Sequence, residues 1–162
     1  MTKHTIIILL ILVFFPIKSF SEEYPVPRWL SLKGDANMRK GPNINASIKF
    51  QYQFKGYPME VIRQNEEWRL VRDPLTKTEG WMSRVLFNNK RHVITSNKQV
   101  NYGYKSANKN EIIAKLAYGV HAKVITCNSS WCHLVIKSDK KTYKMFVEKK
   151  NLYGIYNHEI IN

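Results

Sequence analysis

No segment of this chain carries an amphipathic helical pattern longer than two turns, so strands are left as its building material. Cysteine is scarce: there are two, Cys127 and Cys132. Two thiols without a second pair of ligands are too few for a structural metal, and His92, His121, His133 and His158 lack metal-type spacing. Cys132 beside His133 resembles a nucleophile and its base, but neighbours on a strand point to opposite faces and cannot pair. Hydrolysis would need paired carboxylates; the acids are scattered, and Glu66-Glu67 falls in an expected exposed turn. No helix-turn-helix, zinc-finger or ribonucleoprotein pattern is present, so no specific nucleic-acid partner is expected. The chain is therefore expected to have no catalytic residues, no metal and no cofactor, and not to be an enzyme.

What is present begins with a leader. Lys3 and His4 precede an apolar run from Ile6 to Phe15, Pro16 ends it, and Ser19-Phe20-Ser21 offers small residues for cleavage. That is the layout of a secretory signal over residues 1–21. The apolar run is short for a membrane span, which needs about 20 residues. An uncleaved anchor is the competing reading; otherwise the mature chain has no transmembrane span and is periplasmic or secreted. Export places both cysteines where thiols oxidise, and Asn128-Ser129-Ser130-Trp131 between them reads as a turn. A Cys127–Cys132 disulfide across a hairpin neck follows.

Acids are also few. Of 26 Lys and Arg, Lys3 and Lys18 leave with the leader; the remaining 24 face 12 Asp and Glu, a formal charge of +12. The surplus favours anionic partners such as peptidoglycan carboxylates, lipid headgroups or acidic proteins. The basic residues are scattered, and Lys, Asn and Ile are abundant together, as a biased nucleotide composition would produce.

The chain repeats itself. Gly56, Val61, Ile62, Asn65 and Trp68 recur 63 positions on as Gly119, Val124, Ile125, Asn128 and Trp131. A duplicated unit of about sixty residues has the size of a small single-core domain. In the first copy Ile48, Phe50, Tyr52 and Phe54 alternate with polar residues, the mark of a half-buried strand with that apolar set inward. Met59 to Arg63, Trp68 to Arg72 and a short last strand opened by Gly80-Trp81-Met82 follow. Val120 to Cys127, Trp131 to Ile136 and Thr142 to Val147 repeat the plan. Short strands joined by Gly, Pro and Asn turns indicate small, partly open barrels. The expected division is a leader at 1–21, an extended segment at 22–32, domains at 33–88 and 99–157 around a linker at 89–98, and a tail at 158–162. Trp29 and Leu30 are expected to tuck against the first domain, and Val93-Ile94 to pair with either one.

Asn37-Met38-Arg39-Lys40-Gly41-Pro42, Trp68-Arg69-Leu70-Val71-Arg72-Asp73 and Gly80-Trp81-Met82 resemble the bacterial Src-homology-3-like (SH3-like) family, in particular exported tandem proteins of Gram-negative bacteria. Cys127, Trp131-Cys132 and Leu152-Tyr153-Gly154-Ile155-Tyr156 resemble the second module of that group. Met145-Phe146 stands where the second module would close with Gly-Trp, Asn101-Tyr102-Gly103 where it would open with Asn-x-Arg, and Asn89 where the first commonly ends in Gly. The resemblance implies an all-β fold of two tandem small SH3-like barrels and a wall-binding or targeting role without assigned catalysis.

The leading expectation is thus a non-catalytic binding or scaffold protein whose partner is peptidoglycan or an envelope protein. The alternatives are an accessory or enzyme of cell-wall hydrolysis, and a basic envelope protein docking an acidic partner. By analogy with peptide-binding domains of this shape, Tyr52, Tyr57, Trp68 and Trp81 are candidate ligand contacts, with Arg39 or Arg69 meeting a carboxylate. For Trp68 and Trp81 core packing is favoured over groove exposure, and Tyr52, on the face of Ile48, Phe50 and Phe54, is expected in the core as well; Tyr57, beside a turn, is expected to be exposed. Gly56, Gly119 and Trp131 are expected to be structural marks of the repeat.

Overall fold

A computed structural model describes residues 24–138 and 141–162. The expected leader at 1–21 lies outside the described residues. Among those described there is no α-helix, and no helix long and apolar enough to cross a membrane.

The first module contains β1 (Arg28–Leu32), β2 (Ala36–Arg39), β3 (Ile48–Tyr52), β4 (Pro58–Gln64), β5 (Trp68–Arg72) and β6 (Glu79–Ser83). A 3-10 turn (Arg84–Leu86) then leads into β7 (Phe87–Asn88). The second contains β8 (His92–Thr95), β9 (Asn101–Tyr104), β10 (Ile112–Leu116), β11 (His121–Cys127), β12 (Trp131–Lys137) and β13 (Thr142–Glu148). A second 3-10 turn (Lys149–Asn151) leads into β14 (Leu152–Tyr153). One sheet runs β3-β2-β6-β5-β4-β1-β7 and the other β10-β9-β13-β12-β11-β8-β14. Each strand of one order has its counterpart in the other, so the fold is all-β and built of two tandem modules.

The repeat has a local physical basis. Asn65 Oδ1 accepts the Trp68 backbone N–H (2.8 Å), and Asn128 Oδ1 accepts that of Trp131 (2.8 Å), closing the same Asx-type hairpin turn twice. Gly56 (φ 86°) and Gly119 (φ 80°) both hold the left-handed conformation that a side chain disfavours. Each module has its own apolar core. Leu32, Met38, Met59, Val61, Val71 and Met82 fill the first; Val93, Val124, Leu134, Met145 and Val147, with both cysteines, fill the second. The disulfide joins Cys127 to Cys132 at directly opposed positions of β11 and β12, the expected hairpin neck.

Several sequence expectations change. Residues 28–32, expected as an extended lead-in, form β1 and pair with β4 and β7; Trp29 is buried there. Val93-Ile94, expected within a linker, belongs to β8 and pairs with β11 and β14 of the second module. Gly80-Trp81-Met82 does not open the last strand, since β7 follows and closes against β1. On β3, Ile48 and Phe50 are exposed rather than inward, as is Phe54 just beyond the strand, and Tyr52 alone of that set is half-buried. The reason is position: β3 is the outermost strand of its sheet, so alternation there does not guarantee a covering layer.

The modules touch along a polar and aromatic seam. The Tyr156 hydroxyl donates to Glu60 Oε1 (2.7 Å), and its ring lies 5.9 Å from that of Trp29. His121 Nε2–H donates to the Gly56 carbonyl (2.8 Å), while the His92 and His121 rings stack at 5.0 Å. A Cβ on Gly56 would stand 2.8 Å from His92 Nε2, so the glycine is required by the seam as well as by its φ.

Candidate recognition groove

Three of the six candidate ligand residues come together. Arg39 at the end of β2, Tyr52 at the end of β3 and Trp68 at the start of β5 line one groove of about 510 Å³. Asn37 and Gln51 add amide groups, and Ile44 and Val85 add apolar edges; both apolar side chains are exposed. The β2–β3 hairpin forms one wall and the 3-10 turn after β6 the other. Arg39 donates to the Ala46 carbonyl (2.8 Å), so the guanidinium also braces the hairpin that it projects from. Trp68 is half-buried, which leaves part of its indole available as a stacking surface.

The other three candidates lie elsewhere. Trp81 is half-buried on β6, with the Arg63 guanidinium 5.9 Å from its ring, a cation–π contact inside the module. Arg69 donates to the Trp68 carbonyl (3.1 Å) and lines a different concavity. Tyr57 is not the exposed aromatic expected beside a turn. Its ring lies 5.4 Å from that of Tyr52, and its hydroxyl donates to Asp73 Oδ2 (3.2 Å).

Asp73 explains that inward turn and is the residue the sequence reasoning missed. It is buried, its Oδ2 also accepts the Tyr52 hydroxyl (2.9 Å), and its Oδ1 accepts the backbone N–H groups of Leu75 (2.7 Å) and Thr76 (2.9 Å). Four donors compensate the buried carboxylate. Burial, then the Asp73 charge, pushes both phenols well above the ordinary tyrosine range, so both hydroxyls keep their protons. Tyr52 is thereby fixed at the groove's floor. The available signal was Asp73-Pro74 ahead of a polar stretch, an Asx-turn start.

In the second module the matching positions carry different side chains, which pack on one another. Strand register sets Met38 against Gly103, Arg39 against Tyr104, Gly80 against Met145 and Trp81 against Phe146. Tyr104, in place of Arg39, packs edge-on against Trp131 at 5.4 Å. His133 stacks on Phe146 at 4.6 Å. Among the described residues, no three His, Cys, Asp or Glu stand close enough to hold a metal ion.

The groove lies wholly within a segment that sequence comparison recognises. Residues 33–86 match the bacterial SH3 domain. The match covers this SH3 module from the end of β1 to the 3-10 turn, including every candidate groove residue of the first copy. A comparison with curated proteins finds no match. Among solved structures, NlpC2 from Trichomonas vaginalis aligns at 13% identity and a TM-score of 0.34, over 81% of this chain and 49% of that one. NlpC1 from the same organism aligns at 13% and 0.35, over 86% of this chain and 50% of that one. The chain thus spans about half the length of these two structures.

Proposed function

We propose that the chain is a non-catalytic, exported binding protein that recognises peptidoglycan, or an envelope protein displaying similar peptides, through the groove of the SH3 module. One observation carries this reading: an indole, a phenol and a guanidinium, Trp68, Tyr52 and Arg39, converge on an open groove inside the matched segment. That set suits an extended peptide, whose backbone and apolar side chains stack while a carboxylate meets the arginine. The disulfide fits an oxidising compartment outside the cytosol. The 26 basic against 12 acidic residues favour a negatively charged wall.

Retention on purified peptidoglycan tests the proposal against a basic control protein of equal charge. The chain is expected to be retained at moderate salt, and Trp68→Ala to lower retention about tenfold, the loss of one stacking anchor. Equal retention of control and chain would reject the groove. Binding that disappeared with modest salt would favour instead a basic surface docking an acidic partner. Release of muropeptides from sacculi would favour the reading of a wall hydrolase.

A further inference from the structure

On the other side of the 3-10 turn lies a second cleft of about 620 Å³, between the first module and the residues leading into β8. Among the described residues, five of those lining it are cationic, Arg28, Lys33, Arg69, Arg84 and Arg91, and none is acidic. The partly compensating acids stand outside the lining: Glu67 pairs with Arg84 (3.1 Å) and Glu159 with Arg91 (2.9 Å). Arg28 is held by neutral acceptors, the Tyr24 carbonyl (2.8 Å) and Gln64 Oε1 (2.6 Å). Its position is therefore fixed without its charge being cancelled by those contacts.

Two further donors stand out. Trp29, only 7% exposed, and Arg91 both line this cleft, and the Trp29 Nε1–H and Arg91 Nε–H are buried with no acceptor among the described residues. Buried N–H groups are nearly always satisfied, so two orphans on residues that line one cation-rich cleft point to a missing acceptor. We propose that this cleft binds an oxyanion group of a ligand, a carboxylate or a phosphate, which accepts from Trp29 Nε1–H and Arg91 Nε–H within the field of Arg28 and Arg69. Arg91 also donates to the Gly154 carbonyl (2.8 Å), and Trp29 lies against Tyr156. The site thus needs both modules in place and is separate from the groove of the SH3 module. Burial, then the nearby Arg69 charge, pushes the Arg28 guanidinium below its ordinary value, a strain that an anion relieves.

The experiment is an NMR titration of the full chain, following the Trp29 indole N–H. The probes are inorganic phosphate, a tripeptide with a free C-terminal carboxylate, and the same tripeptide amidated. A saturable downfield shift with the acid peptide, at a Kd below about 1 mM, supports the proposal and assigns the group to a carboxylate. A saturable shift with phosphate alone supports it and assigns the group to a phosphate. Arg28→Gln should weaken binding about tenfold, as expected for loss of a charge-assisted contact, whereas Lys115→Gln, an equal change of net charge on exposed β10, should leave it unchanged. Trp29→Phe keeps the packing and should weaken binding without unfolding the chain. The proposal is overturned if the amidated peptide shifts the signal as much as the acid, or if Lys115→Gln weakens binding as much as Arg28→Gln. It is also overturned if neither anion moves the signal by about 10 mM, which would leave ordered water as the acceptor.

Discussion

The two modules share a strand order but solve the same internal problems with different chemistry. In the first, Tyr52 and Tyr57 donate to buried Asp73. Strand register and the repeat set these three against Leu116, Val120 and Ile136, and two of the latter, Leu116 and Ile136, pack on the second core. The polar group has been replaced as a set, since a buried carboxylate without its donors would be costly. The exchange also runs the other way: Asn101, fully buried in the second module, occupies the place of Ala36 and donates to the Asn97 carbonyl (2.9 Å). A glycine–methionine pair is reversed as well. A Cβ on Gly80 would collide with Met38, and one on Gly103 with Met145, so the large and small residues have traded strands while the core stays filled.

The hairpin necks differ in the same manner. Cys127 and Cys132 occupy the positions that Gln64 and Arg69 hold in the first module. One neck is cross-linked and extended by a bridge from Cys127 to Ile161; the other carries Gln64, whose amide bonds to both Tyr24 and Arg28. A cross-linked second module thus stands beside a first module that carries both the groove and most of the cation-lined cleft. The duplication therefore preserved backbone pairing more strictly than side-chain chemistry.

The largest test of this contrast is at Asp73. Asp73→Ala should lower stability by about 3 kcal/mol, because two hydroxyls and two backbone N–H groups lose their acceptor. The triple change Asp73→Ile, Tyr52→Leu and Tyr57→Val, copying the second module, should recover more than half of that loss in urea unfolding. No recovery would mean that the two cores are not interchangeable solutions. Next comes the bridge. Replacing both cysteines by serine should cost about 2 kcal/mol, the chain-entropy value for so short a loop, and hydrogen exchange should speed up in the second module before the first. Uniform loosening would show that the seam, not the neck, divides the molecule.

The smallest effect concerns the seam itself. Burial holds His92 and His121 below the ordinary histidine value of 6.5, against smaller opposing bonds to the Lys90 and Gly56 carbonyls. Protonation of His92 is also opposed by His121, Lys123 and Lys90. With folded-state values lowered, the unfolded chain takes up protons first as pH falls. The histidines' contribution is complete above pH 6.5 and declines below it, towards their lowered folded values. The thermal midpoint should drop over that window, and the drop should shrink in the His92→Gln, His121→Gln double variant. A pH profile unchanged by that variant would remove the histidine pair from the seam's energetics.

Much of the fold was legible because its determinants are local. Asn65 and Asn128 close turns with their own neighbours, Gly56 and Gly119 need left-handed backbone, and the paired cysteines lie five positions apart in sequence. The groove was partly legible, since Arg39, Tyr52 and Trp68 belong to recognisable motifs. Tyr57 and β3 were misread for a shared reason. Whether an aromatic or apolar side chain is covered depends on which strand lies beyond it, and strand order is a long-range property.

Composition, the 63-residue repeat and turn chemistry by themselves determined that the chain is all-β, doubled and, in its described part, joined by one disulfide. Only the tertiary structure decided that Asp73 turns two tyrosines inward, that Tyr104 packs against Trp131, and that Trp29 and Arg91 share a cation-lined cleft. The physical reason is separation along the chain. Hydrogen bonds between near neighbours are encoded in short motifs, whereas burial and charge depend on residues that the fold brings together from distant segments.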